Sequence, residues 1–335
     1  LPAAITNFEE TGDGMSKKVK KIVLEEHFST PAMSAYATEV VSTIDADFMK
    51  YVKPRLMDME QMRLDDMDEN GIDMCVLSVT SPGVQLEPDT QKAVRVSREI
   101  NDLLAAQIQK YPTRYSGFAH LAMQDAKAAA DELERCVKEL GMRGALINGH
   151  TNGEYLDDQK FWPVWERAEA LEVPIYLHPA DAPAKPKNEA GYSEMAGPGW
   201  AWGSETAGHA LRIIYGGVFD HFPKSTLVLG HMGETLPFIL WRLDSRYKML
   251  QPTNHIKLLP SEYIQRNIMV TTAGSFSDAP LLCAINALGA DRIMFSVDYP
   301  YEYTEEAVHF IDSAPISELD REKICHGNVE RLLKL

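Results

Sequence analysis

No apolar run in the chain approaches the ~18–20 residues of a membrane-spanning helix, so no span is expected. Cysteine is scarce: Cys75, Cys136, Cys283 and Cys325 lie far apart with no C-x-x-C pair. Three of them lie in apolar or helical stretches and read as core fillers, and the pattern suits a reducing cytoplasm. Positive charge is in deficit, with Lys+Arg 33 against Asp+Glu 49 and a net charge of -16. Without a basic stripe, neither nucleic acid nor an anionic membrane is an expected partner. No G-x-G-x-x-G follows a strand, which removes support for a dinucleotide fold. There is no G-x-S-x-G, and no cysteine sits beside a candidate histidine base, so nucleophilic hydrolases are set aside. Residues 1–14 lack the basic flank and apolar centre of a signal peptide. Residues 1–17 are expected to be a flexible tail or an added remnant, with Met15 a candidate start, and 18–335 a single domain.

Short apolar runs alternating with helical patterns are what the chain does contain. Strands are expected at 20–28, 74–79, 115–121, 143–148, 173–178, 226–231, 268–272 and 292–297. Helices are expected between them, at 58–70, 88–110, 126–140, 157–171, 204–218, 236–250 and 279–288, and from 305 onward. Residues 29–55, with Pro31 and Pro54, read as an irregular excursion, and 179–203 as a second long loop. A helix–glycine–strand grammar recurs at Gly71, Gly141 and Gly289. Such alternation implies a parallel sheet, and eight units in about 300 residues favour a closed, distorted (β/α)8 TIM barrel over an open sheet.

In such a barrel the active site lies at the carboxyl ends of the strands. Several strands end there on metal-ligand residue types. Glu25 and His27 are two apart on the first strand and therefore face one side. His178 closes the fifth strand, and Asp298 follows the eighth at Val297-Asp298-Tyr299-Pro300. Each alone has an ordinary explanation, a solvated strand end or a hydrogen-bonded core histidine. Together they predict a single divalent ion, with two nitrogen and two oxygen ligands suiting Mn or Zn, and Mg admissible. No organic cofactor is expected. His231, in Gly230-His231-Met232-Gly233-Glu234, is either a fifth ligand or an acid/base beside the ion. Glu234 would begin the next helix, where an acidic side chain is favoured. Arg242 is the nearest cation, or else a surface arginine paired with Asp244 or Glu234. No lysine ends the fourth strand, so a carbamylated lysine bridging two metals is unsupported.

At these residues the chain resembles the decarboxylase branch of the amidohydrolase superfamily. Leu24-Glu25-Glu26-His27-Phe28 is similar to the opening of the γ-resorcylate (2,6-dihydroxybenzoate) decarboxylases. Thr80-Ser81-Pro82-Gly83-Val84-Gln85, the loop from Asn148 to Leu156, and Asp298-Tyr299-Pro300-Tyr301 are closer to the 5-carboxyvanillate decarboxylases. The resemblance implies one catalytic metal and loss of CO2 from an ortho-hydroxybenzoate without oxidation. It puts Glu25, His27, His178 and Asp298 on the metal positions, with His27 the least essential. His231, Glu234 and Arg242 fall on positions that relay protons and bind substrate. Asp298, His231 and Glu234 are expected to handle the proton, and Arg242 a distal substrate oxygen. Tyr301, Phe28, Trp200 and Trp202 are expected as ring walls. The partner implied is a small aromatic carboxylic acid, and the assembly a homodimer or homotetramer. The competing expectations are a mononuclear metal hydrolase of a lactone or amide on the same fold, and a non-catalytic barrel.

Overall fold

The computed structural model describes residues 19–36 and 44–335. The expected tail at 1–17 lies outside the described residues. All named strands pair in parallel, in two ladders that run in chain order. The first ladder holds β1 (Ile22–Phe28), β2 (Met74–Val79) and β3 (Tyr115–Gly117). The second holds β4 (Ala119–His120), β5 (Ala145–Asn148), β6 (Ile175–His178), β7 (Leu227–Leu229), β8 (Ile268–Thr271) and β9 (Ile293–Met294). β3 and β4 are one stave broken at Phe118, whose N–H still donates to Leu77 O at 2.9 Å. The expected eight staves are therefore present, with the third divided.

The other seam, between β9 and β1, has no ladder; side chains and one backbone bond, His27 N–H to Tyr299 O at 2.7 Å, close it. Ser296 Oγ accepts the N–H groups of Leu24 and Glu25 at 3.1 and 2.7 Å. Glu26, buried behind the strand, accepts Val297 N–H at 3.0 Å and the Ser296 hydroxyl at 3.2 Å. A buried backbone N–H needs such a partner, and these contacts supply it where the ladder stops.

Two apolar layers follow from strand alternation. Leu24, Val76, Phe118, Leu146, Tyr176 and Val228 fill the barrel, with Met269 and Met294 beside them, and Val329 and Leu333 of the C-terminal helix join that cluster. The alternate residues, among them Val23, Leu77, Ile147 and Leu177, pack outward against the helices. Burying each such side chain contributes roughly 1.5–3 kcal/mol. Among the described residues, no helix is long and apolar enough to cross a membrane.

The expectation of an irregular 29–55 is corrected in part. A helix spans Ala46–Met57 with Pro54 inside it, and residues 37–43 of that stretch lie outside the described residues. Asp45 caps this helix by accepting from Asp47 and Phe48 N–H, and Met49, Val52 and Leu56 form its buried stripe. Proline is normally costly in a helix, which is why the pattern reads as irregular. A second unexpected helix, Pro260–Asn267, places Pro260 at its first turn and Glu262 on the Leu259 N–H at 2.7 Å.

Candidate metal centre

A register shift in β1 between Val23 and Glu26 turns two successive residues inward. Leu24 enters the inner core and Glu25 stands above it, and His27 follows on the same face. β6 brings His178 to the mouth, paired in register with Asn148 of β5. Asp298, just past β9, holds the left-handed backbone value φ 80°. One ligating atom from each of Glu25, His27, His178 and Asp298 lies within 4.8 Å of all the others.

Glu25, His27 and His178 are each held from behind, so that one atom faces the common point. Tyr176 OH donates to Glu25 Oε2, and Thr271 Oγ1 does so at 3.1 Å. His27 Nδ1 meets Ser78 Oγ at 3.2 Å, and His178 Nδ1 meets Pro179 O at 2.9 Å. These contacts leave Glu25 Oε1, His27 Nε2 and Asp298 Oδ1 buried with no hydrogen bond. His27 Nε2 and Asp298 Oδ1 are 3.1 Å apart but misaligned for one, and His178 Nε2 lies 3.6 Å from Glu25 Oε1. Buried polar atoms without partners are costly. A divalent cation would satisfy all of them at once, so the residues fit the expected ion.

The loop after β7 shapes the open side. His231, Met232, Gly233, Glu234 and Thr235 all have positive φ. Glu234 does not begin a regular helix as expected; its carboxylate turns back to accept from His231 Nδ1 at 2.8 Å. His231 Nε2 faces Asp298 Oδ2 at 3.6 Å, and the two side chains are 25% and 14% exposed, which makes this the accessible side. Gly230 is required here: a Cβ on it would stand 2.7 Å from Glu25 Oε2.

The electrostatics separate the groups. Burial opposes a charged His231, but Glu234, Glu25 and Asp298 outweigh it and hold the imidazole well above its ordinary value. Burial raises Asp298, but the neighbouring His231 and His27 overcome it and keep the carboxyl low. Burial, helped by neighbouring His27, keeps His178 well below its ordinary value and hence neutral, as a ligand must be. Glu26, behind the strand, is pushed up to about 8 by burial.

The other expected residues divide. Tyr301 is at the mouth: its OH meets Thr80 Oγ1 at 2.7 Å and its ring centroid is 6.0 Å from that of His27. Phe28 is corrected: it is fully buried in the outer core cluster, because it alternates with inward-facing His27. Trp202 donates to Asp181 at 2.6 Å, whereas Trp200 is 52% exposed. Arg242 is exposed on the helix Leu240–Met249 and has no partner among the described residues. Neither expected carboxylate takes it, since Asp244 accepts from Ser261 and Glu234 from His231. Sequence reasoning missed Tyr176, Thr271, Ser78 and Arg63; the last is buried and donates to His27 O. Tyr176 carried a signal, because a tyrosine inside an apolar strand needs a partner for its hydroxyl.

Comparison with known proteins agrees with this geometry. The family described as amidohydrolase matches residues 27–335. A γ-resorcylate decarboxylase from Polaromonas sp. is 43% identical over 324 residues, covering 94% of this chain and 98% of the relative. A crystal structure of a dihydroxybenzoic acid decarboxylase from Polaromonas sp., with bound manganese and the inhibitor 2-nitroresorcinol, superposes with a TM-score of 0.89 at 42% identity. It covers 95% of this chain and 97% of its own. A 5-carboxyvanillate decarboxylase from Novosphingobium aromaticivorans, complexed with manganese and 4-hydroxy-3-methoxy-5-nitrobenzoic acid, gives a TM-score of 0.89 at 32% identity, covering 96% and 98%. The chain thus belongs to the amidohydrolase family, among the γ-resorcylate and 5-carboxyvanillate decarboxylases.

Proposed function

We propose that the protein is a metal-dependent carboxy-lyase that removes CO2 from an ortho-hydroxybenzoate of the 2,6-dihydroxybenzoate or 5-carboxyvanillate type. The observation that carries this reading is the juxtaposition of four convergent ligand atoms with the His231–Glu234 pair on their open side. Glu25, His27, His178 and Asp298 would hold one ion, with manganese favoured by the relatives that contain it. When bound, the ion would gather the phenolate and carboxylate oxygens of the substrate and neutralise their charge.

The remaining chemistry falls to the side chains. Cleavage of an aryl–carboxylate bond leaves an electron pair on the ring carbon, so that carbon must first take a proton. An ortho phenolate supplies the electrons that accept it. His231 stores the proton as an imidazolium held by Glu234, and Asp298, facing both His231 and the open side, passes it to the ring. The C–C bond then breaks, CO2 leaves, and its electron pair restores the aromatic ring. Tyr301 forms one wall of the ring pocket, fixed by Thr80. Arg242 binds a distal substrate oxygen, a role that its unpaired guanidinium leaves open to it.

Self-association into a homodimer or homotetramer is part of the proposal. Phe238 and Trp241 are 81% and 75% exposed, and apolar exposure of this kind favours a partner surface. The free cysteines suit a cytoplasmic location. The test is incubation of the manganese-loaded protein with 2,6-dihydroxybenzoate and with 5-carboxyvanillate in D2O, followed by NMR. Deuterium at the vacated ring carbon is expected for at least one acid. If neither acid changes while a lactone opens, the hydrolase alternative replaces this reading.

A further inference from the structure

At the amino ends of the strands, opposite Glu25 and Asp298, lies a cavity of about 580 Å³. Pro174 and Thr226 stand just ahead of β6 and β7, Met269 lies in β8 and Arg292 stands just ahead of β9. Arg331 and Leu332 of the helix Asn328–Leu333 complete the wall. The floor is apolar. Met269 belongs to the cluster that fills the barrel, and Leu332 packs against it.

The charges around this floor do not cancel. Of the three lining carboxylates, Glu172 is taken by Lys334 at 2.8 Å and Asp291 by Lys323 at 3.2 Å. Glu169 accepts the backbone N–H of Lys224 at 2.7 Å. Arg331 donates only to neutral acceptors, Asp291 O and Asn328 Oδ1, both at 2.9 Å. The Arg292 guanidinium and the Lys224 ammonium have no hydrogen-bond or ion-pair partner among the described residues. Arg292 is partly buried, and burial together with the neighbouring Arg331 charge lowers its pKa, against the pull of Asp291. Three cations without a direct ion pair to a carboxylate thus surround the mouth of an apolar recess, in a chain whose net charge is -16. A partly buried cation beside a like charge is a cost unless something anionic offsets it.

We propose that this cavity is a second binding site, separate from the metal centre, for an amphipathic organic anion. Its carboxylate lies against Arg292 and Arg331, and its hydrocarbon body lies on Met269 and Leu332. Guanidinium groups pair with carboxylates in two-point geometry, which favours this head group over a halide. Because the floor is the underside of the barrel core, occupancy stabilises the folded chain against unfolding.

The probe is hexanoate, compared at matched ionic strength with inorganic phosphate and with sodium chloride, on the manganese-loaded protein. At a concentration about a hundredfold above its Kd, hexanoate is expected to raise Tm by about 4 °C over the chloride control. Arg292→Gln is expected to abolish the rise while retaining the parent's Tm in chloride and its decarboxylase turnover. Glu25→Gln, at the other end of the barrel, is expected to keep the hexanoate rise. No rise with hexanoate, or a rise that survives Arg292→Gln, overturns the proposal. A rise lost in Glu25→Gln assigns the binding to the metal centre and also overturns it. Phosphate that matches hexanoate leaves the apolar floor without a role and rejects an amphipathic ligand.

Discussion

The hydroxyl of Tyr176 donates to Glu25 Oε2 inside the barrel, one layer below the convergent ligand atoms. Thr271 Oγ1 contacts the same hydroxyl at 2.9 Å and the same carboxylate oxygen at 3.1 Å. The pair commits one oxygen of Glu25 to the protein and leaves the other, Oε1, without a hydrogen bond. Groups that orient a ligand in this way typically contribute 10–100-fold to metal affinity. Tyr176→Phe keeps the ring volume and removes only the donor. Manganese affinity by equilibrium dialysis is expected to fall about tenfold or more, with the fold unchanged by circular dichroism. An unchanged affinity would show that Thr271 alone sets the carboxylate.

Much of this was legible in the chain itself, for a physical reason. A barrel gathers its strand ends at one mouth, so the candidate ligands Glu25, His27, His178 and Asp298, each at or near the end of an apolar run, stand out in the sequence. What was illegible depended on backbone conformation or on which face a side chain takes. Glu234 looked like the start of a helix, but the run of positive φ from His231 to Thr235 returns it to His231. Phe28 looked like a substrate wall beside His27, but strand alternation sends it outward. The helix Ala46–Met57 was hidden by Pro54, whose cost is offset by the Asp45 cap and three buried apolar residues.

Proton delivery makes a paired prediction. Asp298→Asn keeps the size of the side chain but can neither carry the proton nor bind the ion as a carboxylate. Turnover is expected to fall by at least ~10³-fold, within the range for a lost general acid, and metal content to drop. His231→Asn removes the stored proton, yet leaves Glu25, His27, His178 and Asp298 in place. It is expected to lower kcat about 10²–10³-fold with manganese content retained. If kcat in His231→Asn is close to the parent value, the relay through His231 is wrong.

Two buried histidines outside the ligand set give a pH dependence of stability. His120 Nε2 accepts Val84 N–H at 3.0 Å, and His209 Nε2 accepts Leu156 N–H at 2.9 Å, each pinning a loop. Burial holds His120 down to about 4 and His209 down to about 3. The unfolded chain has histidines near ~6.5, so between that value and the folded ones it binds more protons than the native state. Their contribution to stability is therefore full above about pH 6.5 and falls by roughly 3 kcal/mol per histidine as pH drops to 4. Urea unfolding at pH 7 and pH 5 should report the loss, and His209→Gln should lessen it. Glu26, pushed up to about 8, acts in the opposite sense over this range, so the readout is the difference between parent and variant: an equal pH dependence in the two would mean that His209 is hydrated or titrates normally in the native state.

The glycine beside the carboxylate offers the sharpest steric test. A Cβ on Gly230 would stand 2.7 Å from Glu25 Oε2 and 2.8 Å from Oε1, closer than such atoms can pack. Glu25 cannot retreat, because Tyr176 and Thr271 hold it and its side chain is fully buried. Gly230 has φ -72°, so alanine meets no backbone strain there and the clash alone is tested. Overpacking of this kind costs about 1–3 kcal/mol of stability. A carboxylate displaced by even ~1 Å no longer shares a point with His27, His178 and Asp298, a misplacement that can cost ~10²-fold in rate. Gly230→Ala is therefore expected to fold with a modestly lowered Tm, to bind manganese at least tenfold more weakly, and to lose most turnover even at saturating metal. Normal manganese affinity in this variant would place Glu25 outside the metal site.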